Sequence, residues 1–408
     1  MHRIRNLITS QKTYILLLSS LLIAILLQYG YSTGILIALL VVTLISLKYH
    51  KPEFHYAYLI PFGLYGVMVL SLCWSIDVKD SIRGLERQIG LVLIPLVFIF
   101  MPTITKETKN SVLYYFSLGM AAFTVFFILS ALGLYLETGD TSVFTYHALV
   151  SSLDLNAIYV SVLTSLCLLF LLFKSKKTAI TVLAIGLLSV FLLLLASKTV
   201  IVTTFFCMVL GLFHTFKKKT IVVSLLVFVG LITMLIIFPN PVKKRFNREI
   251  EASNTKEVLT CEKFGKVYDW TGTTIRLFQA RIFYEMLDED NAFITGYGIN
   301  TSQEKIIEKQ KEYDLWLGYY TYNFHNQYIQ AFSEIGIIGF LFIVLFLVML
   351  ARQYTVNKDI LFLSLFLIML AVFVTESYLW RQRGLYHFLL LYCLFFKTEK
   401  REHRLNKK

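Results

Sequence analysis

The chain has 408 residues, of which 57% are hydrophobic and only 16% charged, and its net charge is +13. A water-soluble domain of this size carries more charge and fewer aliphatics, so a purely soluble globular protein is excluded. In such a chain the positive balance reads as lysine and arginine held on the cytoplasmic side of a membrane, and no nucleic-acid partner is expected.

The N-terminal segment MHRIRNLITSQK has a basic flank and leads into TYILLLSSLLIAILLQYG. A second apolar run follows closely and no small-residue cleavage site stands out, so the first run reads as a transmembrane helix. Further runs lie at 32–48, 56–74, 88–102, 111–135, 156–173, 178–196, 199–215, 220–238, 326–351, 359–377 and 384–396. With the first at 13–29 they make about twelve spans. The runs are continuous, as in ITVLAIGLLSVFLLLLA at 180–196. Barrel strands alternate instead, so the fold class is all-α: a polytopic integral membrane protein. The run at 88–102 is short and contains Pro95, which predicts a kink whose backbone groups are satisfied by neighbours.

The loops alternate in charge. KYHK at 48–51, TKETKN at 105–110, KSKK at 174–177, KKK at 217–219 and the tail KTEKREHRLNKK are basic. The intervening set holds QYGYST at 28–33, the mixed-charge segment 75–87, the segment 137–156 and a bare turn at Ser197 and Lys198. The positive-inside rule places the basic loops and both termini in the cytoplasm. The long segment 239–325 then lies outside as one large loop, in which short amphipathic helices are expected near the membrane surface. The division is 1–238 for the first nine spans, 239–325 for the loop, and 326–408 for the last three spans and the basic tail. Of five cysteines, Cys73, Cys167, Cys207 and Cys393 sit in or beside apolar runs and Cys261 in the loop, so neither a disulfide framework nor a zinc spacing follows.

Two segments carry chemistry. In FHNQYIQAFSEIGIIGF, Asn326, Gln330 and Glu334 are spaced by four and share a helical face. Polar groups reaching into an apolar run are expensive in a membrane, which favours a functional reading of this stripe and of His325 at its mouth. The plainer alternative is that Asn323 or Asn326 caps the helix and His325 is an interfacial aromatic. Gly336 and Gly339 are positioned to admit a neighbouring helix. In TGTTIRLFQARIFYEMLDEDNAFITGYGIN, an amphipathic helix precedes a turn at Gly296 and Gly298. Arg281 has Glu285 one turn on as a pairing partner, whereas Arg276 has none and is the better candidate for an anionic ligand. Arg83 and Arg87 flank Glu86. Tyr146 and His147 lie in an outer loop, and Glu376, Arg381 and Arg383 at the mouth of the last helix pair read equally well as a salt-bridge cluster or as a functional group.

In order and spacing, four segments resemble those of the O-antigen ligase and O-antigen polymerase superfamily of bacterial membrane proteins. They are ASKT at 196–199, TIRLFQARIF, AFITGYGIN at 292–300 and FHNQYIQAFSEIGIIGF, and ESYLWRQRG resembles a further segment of many members. The first turn carries Lys198 where the family often has arginine, which keeps the charge without bidentate geometry. Ala280 stands where an aromatic residue is common.

The resemblance implies glycosyl transfer at the periplasmic face of the bacterial inner membrane. The donor it implies is a glycan on undecaprenyl diphosphate. The implied acceptor is a hydroxyl, on lipid A–core for a ligase or on another lipid-linked repeat for a polymerase. Membrane lipids are the remaining partners; no cofactor and no metal are implied. In this scheme His325 is the base, Arg276 stabilises the leaving diphosphate, and Arg281, Lys198 and Arg83 assist. Asn326, Gln330 and Glu334 orient the base or bind sugar hydroxyls. The compact outer loop and the ESYLWRQRG ending favour a ligase over a polymerase. A non-enzymatic transporter of lipid-linked sugar is the competing class, for which ionisable groups near the membrane midplane are expected.

Overall fold

A computed structural model of the protein describes Arg5, residues 8–215, Lys243, Asn247, residues 249–265 and residues 267–397. The span read at 220–238, the KKK loop at 217–219 and the tail beyond 397 lie outside the described residues. Within them the chain is helical, with no strand. In order the helices are α1 (Gln11–Ala24), α2 (Tyr29–Ser46), α3 (Leu59–Leu70), α4 (Val78–Gln88), α5 (Gly90–Phe100), α6 (Lys106–Thr138), α7 (Ala157–Phe173), α8 (Ala179–Leu194), α9 (Lys198–Thr215), α10 (Gly272–Glu289), α11 (Ser302–Glu312), α12 (Gln327–Asn357), α13 (Ile360–Thr375) and α14 (Gln382–Lys397).

Side-chain caps start many of them. Asp77, Thr105, Asn156, Thr178, Thr271, Asn326 and Asp359 each accept from a backbone N–H in the first turn of the following helix, satisfying donors that the helix itself leaves open. Gly139 and Lys358 end α6 and α12 in the left-handed region.

Burial is arranged as lipid demands. Four helices, Tyr29–Ser46, Tyr56–Cys73, Lys106–Thr138 and Gln327–Asn357, are long and apolar enough to cross a membrane. Their outer faces and those of their neighbours expose Leu16, Ile37, Leu129, Leu136, Leu183 and Val202. Ser117, Thr124, Ser161, Thr164 and Ser165 are buried. An exposed aliphatic belt of this kind is an aggregation surface in water and an ordinary surface in lipid. Helices α7 and α14 are apolar nearly all round and buried along their length, and α7 packs on α6, α8, α9, α13 and α14, so it is a central post of the bundle. The run read at 88–102 is the eleven-residue helix α5 with Pro95 inside it. At about 1.5 Å per residue it rises about 16 Å, too little to span alone.

Loops of the basic set meet one another. Lys109 and Lys174 both pair with Asp359, at 3.7 and 2.9 Å, and Lys397 pairs with Glu53 at 3.4 Å. Between α9 and α12, the segment holds the short helix Thr255–Thr260 with α10 and α11. They share a separate hydrophobic cluster of Val258, Ile275, Phe278, Ile282, Met286, Ile306, Tyr313 and Phe324.

Helix α12 is not the uninterrupted rod that the sequence suggests. It kinks where Ile335 (φ −132°, ψ 26°) and Gly336 (φ 66°, ψ −162°) leave helical geometry. The backbone groups freed there are taken by the glycine turn. The Tyr297 N–H donates to the Ser333 carbonyl (2.9 Å), the Gly298 N–H to that of Glu334 (2.8 Å), and the Ile337 N–H to that of Phe293 (3.1 Å). Gly336 therefore admits a turn rather than a neighbouring helix: a Cβ there would lie 1.8 Å from the Ile294 carbonyl oxygen. Gly296, also left-handed at φ 65°, faces the same kink, where a Cβ would lie 2.6 Å from the Ser333 carbonyl oxygen.

Candidate active site

A cavity of about 640 Å³ opens where five segments meet. They are the α1–α2 turn (Ile25, Leu26, Tyr29), the loop and helix start from His147 to Leu163, the segment 321–325, the α13–α14 connection, and Arg383 at the start of α14. All five belong to the side opposite the basic loops. The volume falls within the roughly 300–1,000 Å³ of sites that hold a small molecule or cofactor.

His325 lines this cavity and is held from several directions. Its backbone lies in the left-handed region at φ 47°, a strained position for a non-glycine residue. The Asn323 side chain accepts its N–H at 2.9 Å, and the next N–H, that of Asn326, donates to Ser377 Oγ at 3.2 Å. Its ring meets Tyr322 edge-on at 5.3 Å, the inner end of a run of rings through Tyr319 to exposed Trp316. Its Nδ1 stands 3.6 Å from Glu376 Oε1. Glu376 is 4% exposed, and its Oε2 and the His325 Nδ1 are buried without a hydrogen-bond partner.

Arg276 reaches the same connection from the other element. Its Nε donates to the Thr375 carbonyl at 2.8 Å and its Nη1 to the Gly272 carbonyl at 2.6 Å. Thr375 is the residue before Glu376, so Arg276 and His325 meet adjacent residues of this connection, the first at a carbonyl and the second at a carboxylate. Lys198 pairs with Glu249 at 3.2 Å, and Glu249 accepts the N–H of Thr273 at the start of α10. Burial alone would raise the Glu249 pKa; the bonds from Thr273 and the charge of Lys198 overcome this and hold it below the usual carboxylate value. Lys198, Glu249, the α10 N-terminus, Arg276, the 375–376 hinge and His325 are thus linked contact by contact, and of these residues Glu376 and His325 line the cavity.

The other expected residues sit elsewhere. Arg281 is committed to the outer cluster. It pairs with Glu285 (2.9 Å), donates to the Val258 and Cys261 carbonyls and to Tyr313 Oη, and stacks over the Tyr313 ring. All three of its nitrogens are engaged within that cluster. Burial, followed by the Glu285 hydrogen bond, pushes the Tyr313 hydroxyl up to about 12. Arg83 is exposed and paired with Asp80 at 2.5 Å, on α4 and outside the cavity. Asn326 is the α12 cap, accepting from Tyr328 and Ile329 N–H. Gln330 and Glu334 are buried stitching: Glu334 accepts from Ser302 Oγ, Gln330 Nε2 and the Thr301 N–H, fastening the segment after the glycine turn to α12. All three side chains are bonded within the protein, and of the stripe His325 at its head lines the cavity.

Arg381 and Arg383, which the sequence offered equally as salt-bridge partners, line the cavity, as do His147, Tyr159 and Tyr378. Neither arginine pairs with Glu376. Arg383 donates to the carbonyls of Asp154 and Leu27 and covers the Tyr29 ring. The signal that could have singled them out was their place in one short connection with Glu376, but the sequence leaves open which of them turns inward. Away from the cavity, Asp77, Asp80 and Glu304 bring carboxylate oxygens within 4.8 Å of one another. Asp80 already holds Arg83, and Asp77 caps α4.

Residues 183–344 match a family model described as O-antigen ligase. This supports the O-antigen ligase and polymerase superfamily. The O-antigen ligase match contains Lys198, Arg276 and His325, and it stops short of Glu376, Arg381 and Arg383. No curated protein matches the chain.

Proposed function

We propose that the protein transfers a glycan from undecaprenyl diphosphate to an acceptor hydroxyl, in the manner of an O-antigen ligase acting on lipid A–core. The observation that carries this reading is the meeting of His325, Glu376 and unpaired arginine charge in one 640 Å³ cavity, in a chain that carries the O-antigen ligase match. The reaction needs a base for the acceptor and positive charge for the departing diphosphate, and a cavity with both suits that chemistry.

In the proposed step the acceptor oxygen gives its proton to His325 and bonds to the anomeric carbon. The carbon–oxygen bond to the diphosphate breaks, and its electron pair leaves with the phosphate oxygen. One direct displacement inverts the anomeric centre. With Nδ1 turned to Glu376, Nε2 is the nitrogen available to accept the proton, and the Glu376 carboxylate stabilises the imidazolium that forms. Arg276 anchors the 375–376 hinge through two nitrogens and adds its charge to the leaving group; Lys198 adds a second cation through the same chain of contacts. The chain sits in the inner membrane with both termini cytoplasmic and the cavity facing the periplasm. The absence of basic loops from the cavity's five segments supports that orientation.

The test is transfer by purified full-length protein from a lipid-linked glycan to lipid A–core or to a second lipid-linked repeat. His325→Ala is expected to cut the rate by about 10²–10⁴-fold with the protein still folded. Transfer only to the second repeat makes the protein a polymerase. Undiminished transfer by His325→Ala removes the base and with it the mechanism.

A further inference from the structure

We propose that Trp316, Tyr319 and Tyr322 form a stacking platform for uncharged sugar rings, running from the exposed indole of Trp316 to the cavity. The proposal deepens the glycosyl-transfer reading above and rests on it for the source of the sugar. It gives a role to a run of rings that the transfer step itself does not use.

The rings make a chain with one end at His325. Between centroids, Trp316 and Tyr319 are 6.0 Å apart, Tyr319 and Tyr322 5.3 Å, and Tyr322 and His325 5.3 Å, each pair edge to face. Thr321, Tyr322 and Asn323 line the cavity, so the inner end of the chain is part of its wall. The outer end is open: Trp316 is 55% exposed and Tyr322 37%.

The platform is braced from behind. Gln303 Nε2 donates to the carbonyls of Tyr320 (2.8 Å) and Tyr322 (3.1 Å), which ties the turn Leu317–Thr321 to α11. The Trp270 ring meets Tyr319 at 6.3 Å. Trp316 lies so close to Gly318 that a Cβ there would stand 2.0 Å from its Cζ3. The backbone of Gly318 is not left-handed, so it is the indole and not the turn that demands glycine. An aromatic side chain held in this way gives up little conformational entropy when a ligand stacks on it.

Charge decides between a sugar and a lipid headgroup. Tryptophan and tyrosine also gather where a membrane meets water, but the anchors of that boundary include lysine and arginine. From 313 to 326 the chain has neither, and its one acid is the exposed Asp314. Asp269, exposed beside Trp270, adds a second negative charge. Anionic headgroups are repelled by such a surface. A sugar suits it, because the weakly positive C–H face of the ring packs on the negative face of an aromatic ring, and the hydroxyls donate to carboxylates.

The test uses the full chain in phosphatidylcholine nanodiscs. Two probes are titrated calorimetrically: the free oligosaccharides released by mild acid from the lipid-linked donor and from lipid A–core. Trp316→Ala is expected to weaken binding of one of them by about 5- to 20-fold, and the probe affected tells donor glycan from acceptor sugar. Trp316→Phe recovers part of the loss. Gly318→Ala, which displaces the indole without removing it, is expected to weaken the same probe and to add nothing further in combination with Trp316→Ala. Leu317→Ala, equally exposed in the same turn, is expected to bind as the wild type does. No binding of either probe by the wild type, or equal binding by Trp316→Ala, overturns the platform. An equal loss in Leu317→Ala overturns it as well, since a general apolar anchor would behave so. Brominated phosphatidylcholine that quenches the fluorescence lost in Trp316→Ala places the ring in the bilayer and has the same consequence. If His325→Ala transfers normally, the glycosyl-transfer reading falls, while the oligosaccharide titrations still decide the platform.

Discussion

Replacing Glu376 by Gln removes one charge and almost no volume from the cavity wall. The Glu376 carboxylate lies 3.6 Å from His325 Nδ1 and is nearly buried. At that distance and an effective dielectric of about 20, a charged pair is worth about 4–5 kcal/mol. The imidazolium exists only once His325 has taken the acceptor's proton, so this energy acts on the transition state more than on bound substrate. Water reaching the His325 edge, which is 24% exposed, reduces it to about 2–4 kcal/mol, a loss of about 30- to 1,000-fold in kcat. Donor KM should be unchanged. The assay is initial-rate transfer at saturating donor, with thermal unfolding in detergent as a control for the fold. A Glu376→Gln protein within about threefold of wild-type kcat, alongside an inactive His325→Ala protein, would refute the electrostatic role given to Glu376.

Gly336→Ala should be destabilising by about 2–4 kcal/mol, because it forces a Cβ onto the Ile294 carbonyl at a backbone angle open mainly to glycine; a thermal melt unchanged from wild type counts against the docked kink. Arg281→Ala should loosen the outer cluster, seen as faster proteolysis within 255–315, yet leave the donor KM of the folded fraction unchanged, and Arg281→Lys should not restore it, since lysine lacks the fork that reaches Glu285, two carbonyls and Tyr313. That cluster should also be alkali-labile. Burial and the Glu285 and Asp290 bonds raise the Tyr313 and Tyr297 hydroxyls, and carboxylate partners outweigh burial to raise Lys305 and Lys309. Each raised group contributes stability that is complete below its unfolded value, near 10, and is lost as pH rises through its folded value. Fluorescence of a variant that keeps Trp270 as its sole tryptophan should therefore show loosening above about pH 10, and a flat response to pH 12 contradicts it. Finally, a membrane-impermeant maleimide added to spheroplasts should label exposed Cys73 and partly exposed Cys261; labelling only after lysis reverses the assigned orientation.

What the sequence determined by itself was the helical membrane class and the grouping of loops by charge, because lipid enforces long apolar runs and lysine bias regardless of how the helices pack. The pairing of Arg281 with Glu285 was readable for the same reason, since it lies within one helix. The tertiary structure decided which polar groups were left over for chemistry. Asn326, Gln330 and Glu334 share a helical face, but the glycine turn and Ser302 come from elsewhere in the chain to engage two of them, and capping takes the third. Gly336 reads in sequence as a helix contact and becomes a kink because the turn at 294–298 bonds the carbonyls that the kink releases. Arg276 and Arg381 look alike in sequence. Two backbone carbonyls claim the first, and none claims the second among the described residues. Whether a guanidinium is free depends on acceptors distant in sequence that only folding brings within 3 Å.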